Sequence, residues 1–164
     1  MHPDGPAIGS VCSGYGGLDL AALAVFGGRL AWVADPDPAA AAILAHHWPD
    51  VPNHGDIRAV DWTSVAPVDV LTAGFPCQPW SDAGRQRGVE DPRHLWPEVA
   101  RAVRDLGPGV VVLENVSGFA VRFAPAVLGE LADLGYDTRW RRLPATAIGA
   151  AHQRMRWFAL AWRR

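Results

Sequence analysis

Lysine is absent from this sequence: all fifteen basic residues among its 164 are arginine. A phosphate-binding loop ending in Gly-Lys is therefore excluded, and the Gly-x-Gly-x-x-Gly fingerprint of dinucleotide folds is missing as well. Cysteine is scarce. Two of them, Cys12 and Cys77, cannot make a multi-bridge disulfide scaffold, and both read as free thiols at strand ends. No apolar stretch approaches the roughly 20 residues of a membrane span, and no basic segment precedes an apolar one at the N-terminus. A soluble, cytoplasmic chain with no membrane contact is expected. His46, His47 and His54 match no metal-ligand spacing, so no metal is expected. Internal repeats, low-complexity tracts and linkers are also lacking, and residues 1–164 read as one domain.

What is present is a folding composition: 49% hydrophobic and 20% charged residues exclude a disordered chain. The net charge of −2 does not announce a nucleic-acid partner, but its distribution is uneven. Residues 1–70 carry eight acids and two arginines, a balance of −6. Residues 71–164 carry nine acids and thirteen arginines, a balance of +4. Such asymmetry fits one basic face, and arginine offers forked donors suited to phosphate.

Strands and helices alternate along the chain. Strands are predicted over 7–13, 30–34, 49–54, 68–74, 110–114, 136–143 and 156–161, from short apolar, β-branched runs. Helices are predicted over 18–26, 39–47, 96–106 and 124–134, several of them stopped by glycine. The last two strands read as a hairpin-like pair. The pattern implies an α/β class with a doubly wound, mostly parallel sheet. Residues 78–94 form a long polar loop of the kind that carries function.

Two strand ends carry reactive groups. Val68–Gly74 leads into Phe75-Pro76-Cys77-Gln78, and Val110–Leu113 ends in Glu114-Asn115-Val116. In open α/β sheets ligands bind at that edge. A lone cysteine there is more often structural, and a lone glutamate more often a surface residue. Together they form a nucleophile and an acid able to face one crevice. A glycine turn, Ser13-Gly14-Tyr15-Gly16-Gly17-Leu18, follows the first strand, and Asp35 ends the second, where an acid can accept ribose hydroxyls.

These motifs resemble those of the cytosine-C5 DNA methyltransferases. Pro76-Cys77-Gln78 is similar to the family's nucleophile motif and Glu114-Asn115-Val116 to its acid motif. Ser13–Leu18 resembles the cofactor turn, Gly55-Asp56-Ile57 the adenine-contacting motif, and Gly84–Arg93 the loop that closes over a flipped base. His152-Gln153-Arg154-Met155-Arg156 resembles the late arginine motif. All six stand in family order. The resemblance implies a Rossmann-like S-adenosylmethionine-dependent methyltransferase fold, with the last-numbered strand inserted antiparallel, in a single catalytic and cofactor-binding domain.

The resemblance also implies roles. Cys77 attacks cytosine C6, Glu114 protonates N3, Asn115 holds the loop and Glu114, and Arg156 and Arg154 contact base or phosphate. Ser13, Gly14, Tyr15, Gly16, Gly17, Leu18, Asp35, Pro36, Asp56, Ile57, Pro76 and Leu95 would bind S-adenosylmethionine, Ile57 by packing on the adenine. Gln78, Ser81, Arg85 and Arg87 belong to the closing loop. Trp32, Trp62, Trp157 and Trp162 are expected in packing, while Trp80 and Trp96 flank the loop within reach of DNA. The chain departs from the family at four positions: Ser10 for Asp, Cys12 for Phe, Asp35 for Glu, and Pro36 for an aromatic residue.

The resemblance further implies a target-recognition domain and a returning helix that these 164 residues lack. DNA is the expected partner, with cytosine flipped from the duplex or unpaired, and a second polypeptide is the other source of recognition. Three readings stay open at this level: the DNA enzyme, a non-catalytic or split relative, and an enzyme acting on RNA or a cytosine nucleotide.

Overall fold

The computed structural model describes residues 5–76 and 95–164. Six strands form one sheet in the order β2-β1-β3-β4-β6-β5. They are β1 (Ala7–Val11), β2 (Arg29–Ala34), β3 (Val70–Ala73), β4 (Val110–Val116), β5 (Tyr136–Pro144) and β6 (Met155–Arg163). β1 pairs in parallel with β2 and β3, and β3 with β4. β6 runs antiparallel between β4 and β5, as expected for the last strand.

Among the described residues five helices connect and cover the strands: α1 (Gly17–Phe26), α2 (Pro38–His47), α3 (Trp96–Leu106), α4 (Phe119–Arg122) and α5 (Ala124–Asp133). The starts and stops follow local chemistry. Asp37 caps α2, its Oδ1 accepting from the Ala39 and Ala40 amides at 2.9 and 2.8 Å, and Pro38 opens the first turn. Gly107, in the left-handed region at φ 57°, ends α3. Among the described residues no helix is long and apolar enough to cross a membrane.

Two hydrophobic layers form the core. On one face Ala22 of α1 and Leu44 of α2 meet Ile8, Leu30, Val33 and Val70. On the other, α3 and α5 press Val99, Val103, Val127 and Leu131 against Val11, Leu71, Val111, Leu113 and Trp157. The first layer reaches β4 only in part, where Val110 and Val112 pack against it without being fully buried. β4 is therefore fully buried on one face, by Val111 and Leu113, and partly buried on the other, by Val110 and Val112.

The predicted strand over 49–54 is reduced to a single bridge between Val33 and Asn53. The Asn53 side chain is spent on β2 instead, accepting from the Asp35 amide at 3.1 Å and donating to its carbonyl at 3.0 Å. Trp32, Trp62 and Trp157 are fully buried, as expected. Trp96 is not within reach of DNA as expected: it is 3% exposed, its ring meets Phe75 at a tilt with centroids 5.7 Å apart, and it donates its indole N–H to Glu130 at 2.9 Å.

Close packing in β1 gives a direct test. A Cβ added at Gly9 would lie 2.3 Å from the Trp32 ring. That ring cannot swing away, because its Nε1 donates to the Ala66 carbonyl at 2.9 Å and its face meets Trp62. Gly9→Ala is expected to destabilise the fold by about 1–3 kcal/mol or more. Urea unfolding should show a lower midpoint with an unchanged slope.

Candidate active site

The chain leaves β1 toward β2 on one side and returns to β3 on the other, so the sheet's switch point lies at the carboxyl ends of β1 and β3. Everything that follows is built there.

The glycine turn opens with Cys12 at φ 52° and continues through Gly14 at 54° and Gly16 at 79°. Three left-handed residues in five reverse the chain into α1. Asp35, buried at the end of β2, clamps this turn. Its Oδ2 accepts from the Gly14 amide at 2.8 Å and its Oδ1 from the Asp37 amide at 3.0 Å. Each carboxylate oxygen keeps a further lone pair. A Cβ at Gly14 or Gly17 would meet nothing within 4 Å, so open space adjoins both. Gly16 faces the other way, where the Trp48 ring would be 2.7 Å from a Cβ.

A cavity of about 540 Å³ occupies that open space. This lies within the roughly 300–1,000 Å³ range of small-molecule sites. Ser13, Gly14, Tyr15, Gly17 and Leu18 form one wall, Glu114, Arg154 and Phe158 another, and Gly74 adjoins them. Ser10, Cys12, Asp19 and Ala21 line it as well. Two buried polar atoms on this lining, Ser13 Oγ and Asp19 Oδ2, have no hydrogen-bond partner among the described residues. Burial, then Asp35 and Asp56, push the Cys12 thiol up to about 12. Among the described residues no cluster of His, Cys, Asp and Glu could hold a metal ion.

Glu114 stands where β4 passes the end of β3, its Oε2 3.8 Å from a Cβ position on Gly74. Arg156, reaching diagonally from β6, binds Glu114 Oε1 through Nε at 2.7 Å. Burial raises the Glu114 pKa, and Arg156 and Arg154 oppose that rise. Asn115 is buried and points to the opposite face. Its Nδ2 donates to the Phe75 carbonyl at 3.1 Å, tying β4 to the backbone just before Pro76. Phe75 is fixed from below by Trp96 and Phe119 at ring distances of 5.7 and 5.4 Å.

Cys77, Gln78, Ser81, Arg85, Arg87 and Trp80 lie outside the described residues. The remaining expected residues divide. Asp35, Pro36, Asp56, Ile57, Pro76 and Leu95 do not line the cavity, and Leu95 packs against the core. Asp56 is held by the forked guanidinium of Arg58, with contacts of 2.6–3.0 Å that lower its pKa. Ile57 is a correction: its side chain is 1% exposed, so it supports this turn from the core rather than offering a face to a ring. Arg101 of α3 fixes the same turn, donating to the Ile57 carbonyl at 2.6 Å and the Val60 carbonyl at 2.9 Å.

Sequence reasoning missed Asp19. It sits in the first turn of α1, where an acid normally faces solvent and favours the helix dipole. Here it turns inward, 1% exposed, and accepts from Thr72 Oγ1 at 2.6 Å. Burial raises its pKa, opposed by the Thr72 hydrogen bond and the neighbouring Ser10 hydroxyl. The folded protein therefore holds this proton at pH values where the unfolded chain has lost it. Asp19 costs nothing below the unfolded value, and its cost grows as pH rises through the folded one. Asp19→Asn should remove that limb. Its ligand-free melting temperature is expected to exceed the parent's at pH 7 and to converge with it in acid, as read by calorimetry.

Comparison with known proteins adds sequence relationships to this geometry. A family model described as C-5 cytosine-specific DNA methylase matches residues 7–164. Type II methyltransferase M.NlaIV of Neisseria lactamica is 33% identical over 140 residues, covering 78% of this chain and 33% of that protein. Type II methyltransferase M.HgiBI of Herpetosiphon aurantiacus is 36% identical over 154 residues, covering 89% and 35%. The crystal structure of the S. pombe Dnmt2 methyltransferase superimposes with a TM-score of 0.78 at 22% identity, over 96% of this chain and 51% of that one. The chain thus spans about a third of the length of these curated relatives.

Proposed function

The chain belongs to the C-5 cytosine-specific DNA methylase family, and on that premise we propose that it methylates C5 of cytosine in DNA through a covalent bond between Cys77 and C6. The observation that carries the reading is the Glu114–Arg156 pair at 2.7 Å, with Glu114 lining a cavity together with Gly74, three residues before Cys77.

The cavity fits S-adenosylmethionine. It has the volume, backbone open to close approach at Gly14 and Gly17, and two unpartnered buried acceptors on its lining. Ser13, Gly14, Tyr15, Gly17 and Leu18 would hold the cofactor directly. Asp35, with a free lone pair on each oxygen, would serve the ribose while clamping the turn, and Asp56 the adenine amino group. When bound, the cofactor would supply an electrophilic methyl group.

Cytosine C5 is too weak a nucleophile unaided. The Cys77 thiolate forms a bond to C6, and the displaced electron pair is drawn through the ring toward N3. Glu114 delivers its proton to N3, leaving C4=C5 as an enamine with a nucleophilic C5 and C5–C6 as a single bond. Burial keeps that proton on Glu114 above the ordinary carboxylate range, while Arg156 orients the carboxyl and stabilises the carboxylate left when the proton has gone to N3. Once C5 carries the methyl group, loss of its proton re-forms the C5–C6 double bond and expels Cys77. Glu114 then recovers the proton from N3. The base must be out of the stack to reach these groups, either flipped from the duplex or already unpaired. Target readout is assigned to protein beyond these 164 residues, a second polypeptide included. Arg85 and Arg87 would supply phosphate contacts without sequence preference.

The test is to incubate the chain with methyl-labelled S-adenosylmethionine and, separately, duplex DNA, single-stranded DNA, transfer RNA or a cytosine nucleotide. Label recovered as 5-methylcytosine from DNA is expected. Label confined to RNA or nucleotide, or to another base, would overturn the assignment.

A further inference from the structure

We infer that Asp19 is the anchor for the ammonium group at the amino-acid end of the cofactor. The inference rests on the S-adenosylmethionine reading and adds to it a residue outside the motifs from which that reading came.

Three observations converge. Asp19 is 1% exposed, yet it lines the cavity together with Ser10 and Ser13. Its Oδ1 accepts the short bond from Thr72, while its Oδ2 has no partner among the described residues. The groups around the carboxylate are hydroxyls, from Thr72 and Ser10. A buried carboxylate in such surroundings is costly unless a cation or a proton completes it. The raised pKa describes the protonated solution, available when the site is empty. A ligand that brings a cation with N–H donors provides the other.

The sheet order selects which part of the ligand that is. Asp35 ends β2, and Thr72, the partner of Asp19, lies in β3, with β1 between them. A ligand lying across the end of β1 therefore has its ribose over β2 and its opposite end over β3. That opposite end carries the α-ammonium, and it is also the end nearest Gly74 and Glu114. Adenine and ribose bring no cation to this position, and the ligand's own carboxylate would be repelled from it. Asp19 thus sets the position of the cofactor along the axis that brings its methyl group toward the base.

The experiment is calorimetric binding of three probes: S-adenosylhomocysteine, its analogue lacking only the amino group, and 5′-methylthioadenosine, which lacks the whole amino-acid end. The parent protein is expected to prefer S-adenosylhomocysteine over the deamino analogue by about tenfold or more. Asp19→Asn and Asp19→Ala should erase that preference and leave 5′-methylthioadenosine affinity within about twofold of the parent. A parent that does not distinguish the first two probes overturns the assignment without recourse to any variant. So do variants that retain the preference, or that lose affinity equally for all three probes, the mark of a structural role. A parent that binds none of the probes overturns the cofactor reading and this assignment with it.

Discussion

Cys77→Ser is expected to lower methyl transfer by at least about 10⁴-fold, the scale on which loss of a covalent nucleophile is felt. Cofactor affinity and melting temperature should be unchanged. A serine hydroxyl is not ionised near neutral pH, and nothing in the mechanism removes its proton, so the C6 adduct cannot form. The companion measurement uses DNA containing 5-fluorocytosine, which has no C5 proton to lose and so holds the adduct. Mass spectrometry should map the trapped species to Cys77 in the parent and find none in the variant. The structure sharpens the control. Cys12, the other thiol, lines the same cavity, but its pKa is pushed up to about 12. Cys12 is therefore held as the unreactive thiol at pH 7, since reactivity follows the ionised fraction. An adduct on Cys12, or transfer that survives Cys77→Ser, would sink the covalent mechanism.

The parts legible in the sequence share one property: their signal is local. The valine-rich run ending in Glu114-Asn115, the glycine turn after β1, and the Pro38 and Gly107 helix boundaries each depend on residues a few positions apart. What the sequence hid depends on contacts between distant positions. Ile57 looked like a ligand-facing side chain, but Arg101, 44 positions later, draws its turn onto α3 and drops the side chain into the core. Trp96 looked available to DNA beside a polar loop, but Glu130, 34 positions on, satisfies its indole N–H inside the fold. Asp19 is the clearest case. A helix-first-turn acid between Leu18 and Leu20 reads as a surface residue, and only Thr72, 53 positions away, reveals that it faces the sheet. Asp35 shows a mixed outcome: its place at the end of β2 was legible, but its grip on the Gly14 amide was not. For that reason Asp35→Ala cannot by itself separate a ribose contact from collapse of the turn, and the ammonium-deletion probe is the cleaner test of this wall.

Glu114→Gln is expected to reduce the rate by about 10²–10⁴-fold, the usual worth of a positioned general acid. The amide preserves the shape and can still meet Arg156 through its carbonyl oxygen, so folding should survive, but it has no proton to give to N3. The pH profile carries the more specific signature. Burial raises the Glu114 pKa against the pull of Arg156 and Arg154, and the mechanism needs the protonated form. The parent's rate should therefore fall as pH rises through that raised value, giving a descending limb. In Glu114→Gln this limb should disappear. Arg156→Ala moves it the other way. Removing the cation 2.7 Å from the carboxylate leaves burial unopposed by its main partner, so the limb should shift to higher pH even as the rate drops. Profiles of kcat/KM over about pH 5–9 on all three proteins decide the matter. A descending limb that persists unchanged in Glu114→Gln, or that moves to lower pH in Arg156→Ala, would show that another group supplies the proton and that the Glu114–Arg156 pair is only a cross-strand tie between β4 and β6.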